Sequence, residues 1–216
     1  MNFAVARRNM VDNQIRTNRV TDPDLTSALL EVPRERFVPP SLRGVAYVDE
    51  DIPLGSGRFL MEPMVGARLL ENAALRKEDR VLVVGCGTGY LAAVLGRLVA
   101  SVVALESDQA LAATAASVLR EVGAGNVNVV RGRLKDGCTA EAPFDVIVIE
   151  GTVAAIPESI LAQLAEGGRL VTVVNSDGVG RATLAVRQAG LTSHRILFDA
   201  ATPDLPGFEM APSFTF

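Results

Sequence analysis

The chain has 216 residues, 49% of them apolar and 5% aromatic, with 25 acidic against 21 basic side chains and a formal net charge of −4. That length suits one α/β domain with an appended segment better than two independent domains, and a core short of aromatics must be built from Val, Leu, Ile and Ala. With no basic run longer than a pair, the sequence carries no electrostatic footprint for nucleic acid.

Cys86 and Cys138 lack metal-ligand spacing and His194 is the single histidine, so neither a metal site nor a Cys/His nucleophile is expected. The opening MNFAVARRNMVDNQIR lacks the apolar core of a signal peptide, and no apolar run is long enough to cross a bilayer. A cytoplasmic protein without a membrane partner is the expectation.

Phe3, Met10, Val11 and Ile15 recur at roughly helical spacing, which predicts an amphipathic helix over residues 3–18. Thr21-Asp22-Pro23 reads as a cap with proline in the first turn of a second helix carrying Leu25, Leu29 and Leu30. Residues 41–63, punctuated by Pro53, Gly55, Gly57 and Pro63, predict an irregular connection of the kind that often carries function.

From residue 64 strands and helices alternate. A helix over 64–74 precedes strand 81–85, a helix over 89–98, strand 102–106, a helix over 108–121 and strands 127–131 and 145–149. A helix over 157–164 then leads to strand 169–174. This predicts an α/β fold, a doubly wound and mostly parallel sheet with ligand at the carboxyl ends of its strands. Residues 181–198 predict an antiparallel hairpin at the sheet edge, turning at Ala189-Gly190. The Pro-containing tail that follows ends in an apolar, strand-like tetrad.

VLVVGCGTGY, Val81 to Tyr90, is a buried strand running into a glycine-rich loop, with Glu106 at the end of the next strand, 17 positions after Gly89. Gly85, Gly87 and Gly89 let the backbone turn sharply and approach a ligand without Cβ interference. Their G-x-G-x-G spacing lacks the third glycine of the dinucleotide pattern. That tilts the reading from NAD to S-adenosylmethionine, which has no pyrophosphate to seat. Glu106 can accept both ribose hydroxyls of such a cofactor; its alternative is a solvated strand end. Cys86 reads as a small residue tolerated in a tight turn, since no His and no nearby Lys would lower its pKa. Residues after Gly132 should reach the adenine edge, and Glu150 closes the fourth strand, facing either the site or solvent.

These segments resemble the protein-L-isoaspartate O-methyltransferase family, class I S-adenosylmethionine-dependent enzymes with a Rossmann-like sheet. MVDNQIR (Met10 to Arg16) looks like the family's opening helix, and VPRERFVPPSLRGVAYVDEDIPLG (Val32 to Gly55) is similar to its second block. VLVVGCGTGYLAAVLGRL matches its cofactor loop, and PFDVIVIEGTVAAIPESILAQLAEGGRLVTVV (Pro143 to Val174) its fourth and fifth strand region. The resemblance implies methyl transfer to an isoaspartyl carboxylate in protein repair, with S-adenosylmethionine as cofactor and a protein or peptide acceptor, a small-molecule acceptor being the alternative. Cofactor contacts fall on Gly85, Cys86, Gly87, Thr88, Gly89, Glu106, Ser107, Gly132, Arg133 and Leu134. Residues 1–63 form a helical and substrate-loop segment packed on a cofactor-binding domain, residues 64–216, as one unit.

The chain departs from the family on the substrate side. The family's Gly-x-Gly-Gln-Thr-Ile-Ser-x-Pro appears as GSGRFLMEP, so the Gln position is Arg58, the Thr is Phe59 and the Ser is Met61. Two hydroxyls give way to apolar groups that cannot hydrogen-bond a carboxylate. The acidic residue expected near adenine is Arg133, and the small polar residue after the fourth strand is Glu150. The substrate-side candidates are therefore Arg58, Met61, Glu62 and Glu150, with an Arg58–Glu150 ion pair expected beside the pocket. Three readings remain: an isoaspartyl methyltransferase in which Arg58 binds the acceptor carboxylate, a relative with another acceptor, and a non-catalytic module that binds S-adenosylmethionine.

Overall fold

A computed structural model describes residues 1–209. Its centre is a seven-stranded sheet. The parallel strands are β3 (Arg80–Val84), β4 (Ser101–Glu106), β5 (Val127–Arg131), β6 (Phe144–Val153) and β7 (Leu164–Ser176). Antiparallel β8 (Val179–Gln188) and β9 (Leu191–Asp199) complete it, giving the order β5-β4-β3-β6-β7-β8-β9. The chain leaves β3 toward β4 and β5 on one side and returns to β6 on the other. The carboxyl ends of β3 and β6 therefore flank a topological switch point, where open α/β sheets bind ligands.

Alternation along the strands divides the core in two. Val81, Val83, Val102, Ala104, Val146 and Val148 face one layer, and Leu82, Val84, Leu105, Ile147 and Ile149 face the other. The first layer is covered by α2 (Pro23–Glu31), α3 (Pro63–Ala73), α4 (Tyr90–Leu95) and α5 (Gln109–Glu121). The second is closed by the short α6 (Glu158–Leu161), Leu134, Leu205 and Phe208. Residues 1–63 share the first layer through Met10, Val11, Ile15, Leu29, Phe37 and Leu60.

Local chemistry sets most boundaries. The Asp22 carboxylate caps α2 by accepting from the amides of Asp24 and Leu25, as the Thr-Asp-Pro signal predicts. The opening helix, α1 (Phe3–Met10), continues as a five-residue π-helical stretch, Val11–Ile15, and ends at left-handed Arg19. The predicted edge hairpin is β8–β9. The helices expected over 89–98 and 157–164 are shorter, ending at Leu95 and Leu161.

The segment expected to be irregular contains a hairpin. β1 (Ile52–Gly55) pairs with β2 (Arg58–Leu60) around Ser56-Gly57, both at positive φ (52° and 69°), the turn geometry that suits strand twist. Strands this short carry too little alternation to be read from sequence. No helix among the described residues is long and apolar enough to cross a membrane. The apolar tetrad predicted at the end of the tail lies outside the described residues.

Candidate functional site

The site forms at the switch point. Gly85, Gly87 and Gly89 all adopt positive φ (79°, 54° and 93°), so the loop leaving β3 follows a path that side chains would strain. The amides of Gly85 and Cys86 both donate to the Leu105 carbonyl, at 2.8 and 3.1 Å, which ties the loop to the end of β4. Cys86 is buried, and burial first, then the Glu150 and Glu106 carboxylates, push its thiol well up, so it is no nucleophile. The Thr88 hydroxyl donates away from the loop, to the Phe37 carbonyl.

Glu106 is fully buried at the end of β4. One oxygen accepts from the Gly87 amide at 2.7 Å. The other accepts from the amides of Ser107 and Asp108, at 2.8 and 3.0 Å. Glu106 lies beside the glycine loop, where hydroxyl donors were expected to meet it.

Arg58 takes that role instead. Reaching from β2, its guanidinium pairs with Glu106, Nη2 to Oε2 at 3.1 Å and Nη1 to Oε1 at 3.3 Å, while Nη2 also donates to the Gly85 carbonyl. Only 4% of the Arg58 side chain is exposed. A Cβ placed on Gly85 would stand 2.8 Å from Arg58 Nη2 and 3.0 Å from Leu205 Cδ1, and one on Gly87 would stand 2.9 Å from Leu54 Cδ1. The space that the glycines leave open is filled by the chain itself.

The expected Arg58–Glu150 ion pair is not formed; Glu106 outcompetes Glu150 because it presents both oxygens to the guanidinium fork. Glu150 is buried, not solvated, and its Oε1 has no hydrogen-bond partner. Burial outweighs the attraction of Arg58 and, with repulsion from Glu106, pushes its carboxyl up to about 8. Met61 is buried too, and its carbonyl accepts from the fully buried Arg34 at 2.7 Å. The Glu62 carboxyl is pushed up to about 7 by burial and then by Asp51, Asp49 and Glu50.

The tail completes the enclosure. Thr152 and the tail exchange backbone hydrogen bonds, Thr152 N to Pro203 O at 2.9 Å and Leu205 N to Thr152 O at 2.7 Å, which lays Leu205 over Gly85 and Gly151. The cavity left between Arg58, Met61, Glu150 and Leu205 is about 10 Å³, room for roughly one water. On the far side of Pro206, a cavity of about 190 Å³ opens among Ser107, Arg133, Leu134, Lys135 and Gly207. That is where the residues after Gly132 were expected to meet adenine. Arg133 itself is exposed there and pairs with Asp136 at 3.8 Å. Leu205, Pro206 and Arg34 were not foreseen, because a lone Leu in a Pro-rich tail and an Arg in a helical block look like ordinary surface residues.

In this conformation the residues do not admit the ribose of S-adenosylmethionine: both Glu106 oxygens are engaged and Arg58 stands at the position hydroxyls would take.

Residues 6–201 match the family model described as Protein-L-isoaspartate(D-aspartate) O-methyltransferase. A protein-L-isoaspartate O-methyltransferase of Koribacter versatilis is 38% identical over 205 residues, covering 95% of this chain and 92% of the relative. One from Methanoregula boonei is 42% identical over 168 residues, with 78% and 77% coverage. Among solved structures, a protein-L-isoaspartate O-methyltransferase superposes with TM-score 0.81 at 26% identity, over 94% of this chain and 67% of its own. A Plasmodium falciparum member in complex with S-adenosyl-L-homocysteine gives TM-score 0.81 at 19% identity, over 93% and 98%.

Proposed function

The chain belongs to the protein-L-isoaspartate(D-aspartate) O-methyltransferase family, and from that membership we propose that it is an S-adenosylmethionine-dependent O-methyltransferase acting on a carboxylate of a protein or peptide. The observation that carries the reading is the glycine loop clasped by Glu106 at the β3–β6 switch point, on a chain whose residues 6–201 match the family model. When bound, S-adenosylmethionine supplies an electrophilic methyl group. A carboxylate acceptor is already ionised at neutral pH, so the protein's work is alignment and exclusion of water, not proton removal.

Residues 1–63 take part in the same unit as residues 64–216, since they deliver the hairpin that reaches Glu106. Glu62 and Glu150, both prone to hold a proton near neutrality, keep the substrate side less negative than its acidic composition suggests. The chemistry fits the cytoplasm, where damaged intracellular proteins would be repaired.

A second reading, another acceptor, is favoured by one feature: buried Met61 and exposed Phe59 stand where the resemblance to the family implies hydroxyls. Methyl transfer to an isoaspartyl peptide, compared with its aspartyl twin, separates the two. Turnover of the isoaspartyl peptide alone supports repair. No turnover by wild type, with activity gained on Phe59→Thr and Met61→Ser, assigns the loss to the loop and favours another natural acceptor. If neither protein methylates either peptide, the isoaspartyl reading is lost.

A further inference from the structure

We infer that Arg58 and Leu205 form an internal plug, in which the chain's own guanidinium holds Glu106 in place of the cofactor's ribose and must leave before a nucleoside can enter. The inference rests on the methyl-donor reading of the cradle and goes beyond it by making cofactor entry conditional on a movement of the β1–β2 hairpin and the tail.

Three observations converge. First, the Arg58 guanidinium does at Glu106 what a ribose diol would do, giving one donor to each carboxylate oxygen, at 3.1 and 3.3 Å. The contact is also closed from behind, because Nη2 uses its remaining donor capacity on the Gly85 carbonyl. Second, Leu205 packs against Gly85 and Gly151 in the same space that Arg58 Nη2 enters, and Pro206 meets Gly57 at the hairpin turn (a Cβ on Gly57 would lie 3.4 Å from Pro206 Cγ). Hairpin and tail therefore brace each other above the loop. Third, space is distributed unevenly: about 10 Å³ remains under the plug, against about 190 Å³ beside Arg133 and Leu134. The part of the site expected to hold adenine stays open while the ribose part is shut.

The plug is built to release as well as to hold. Glu106 keeps the amides of Gly87, Ser107 and Asp108 when Arg58 departs, so the buried carboxylate is not left unpartnered. Arg58 is carried on a three-residue strand joined by a two-residue turn to β1, and the two form a sheet of their own, separate from the seven-stranded one. A ligand that binds only the unplugged form has its affinity reduced by the fraction of molecules in that form.

Calorimetry with S-adenosyl-L-homocysteine tests the plug without any methyl acceptor. Arg58→Gln and Leu205→Ala should each bind about tenfold or more tightly than wild type, and Arg58→Lys, which keeps the charge but not the fork, should fall between. Ligand-induced increases in melting temperature should follow the same order. Hydrogen exchange on wild type should show residues 52–60 and 202–209 losing protection when ligand binds. Should Arg58→Gln fail to fold, Leu205→Ala and the exchange pattern decide. Equal, tight binding by wild type and variants overturns the plug and leaves the methyl-donor reading standing. No binding by any of them at millimolar ligand overturns both.

Discussion

Glu150 lies in an enclosed site within β6, which runs on past it to Val153 and does not end there as the sequence predicts. One of its carboxyl oxygens is unpartnered and the carboxyl is pushed up to about 8, chiefly because burial disfavours the anion. The sign of its effect on stability follows from linkage. Its folded-state pKa lies above the ordinary value of 4.5, so between about pH 4.5 and 8 the native state binds more protons than the unfolded chain. Stability contributed by this residue therefore falls as pH rises through that window. Glu150→Gln removes the dependence. Its melting temperature should gain on that of wild type progressively from pH 5 to 8 and then run parallel to it; a constant gap across that range would show that Glu150 ionises normally. Glu150, Glu106 and Arg58 stand out in the sequence because each is a charge at a predicted strand end or in a glycine-flanked loop, but the spacing pairs Arg58 with Glu150. That is the wrong acid, since which of two carboxylates offers both oxygens is a matter of backbone direction that spacing does not encode.

The β1–β2 hairpin is the element on which the site turns, and it is held from beneath by Arg34. This residue, 1% exposed, donates to the Ala46 carbonyl at 2.8 Å and the Met61 carbonyl at 2.7 Å, with its guanidinium 4.8 Å from the centre of the Tyr90 ring. It thus fixes both ends of the segment that contains the hairpin. Arg34→Met preserves much of the volume but orphans two buried carbonyls, at a cost of roughly 2–4 kcal/mol. Chemical denaturation should register that loss, and proteolysis should begin within residues 46–61. A variant as stable as wild type would mean that water replaces the guanidinium. The longer strands and α2 were legible because their hydrophobic period and caps are local. The hairpin was not, because four- and three-residue strands, the first with Pro53 inside it, carry no period, and their partner contacts lie in Glu106 and the tail.

Across the whole molecule, the two ends of the sheet do different work. At the carboxyl end lie Glu106, Arg58 and Glu150. At the amino end, Arg169, within β7 beside Val146, pairs with Asp79 at 2.6 Å and donates to the carbonyls of Ala73, Ala74 and Asp145, joining β7 to the end of α3 and the starts of β3 and β6. Both members are nearly buried, so removing one leaves the other charged and unpaired, which costs roughly 3–5 kcal/mol. Asp79→Ala should lose stability on that scale and lower the denaturation midpoint. Placed in an Arg58→Gln background, it should leave the affinity for S-adenosyl-L-homocysteine unchanged at temperatures where the protein remains folded, because the Asp79–Arg169 pair lies at the other end of the sheet and shares no hydrogen-bond partner with Glu106. A loss of affinity matching the loss of stability would instead mean that the sheet transmits strain along its length. In that case the affinity of the glycine-loop cradle itself would depend on the amino-end pair, independently of the plug.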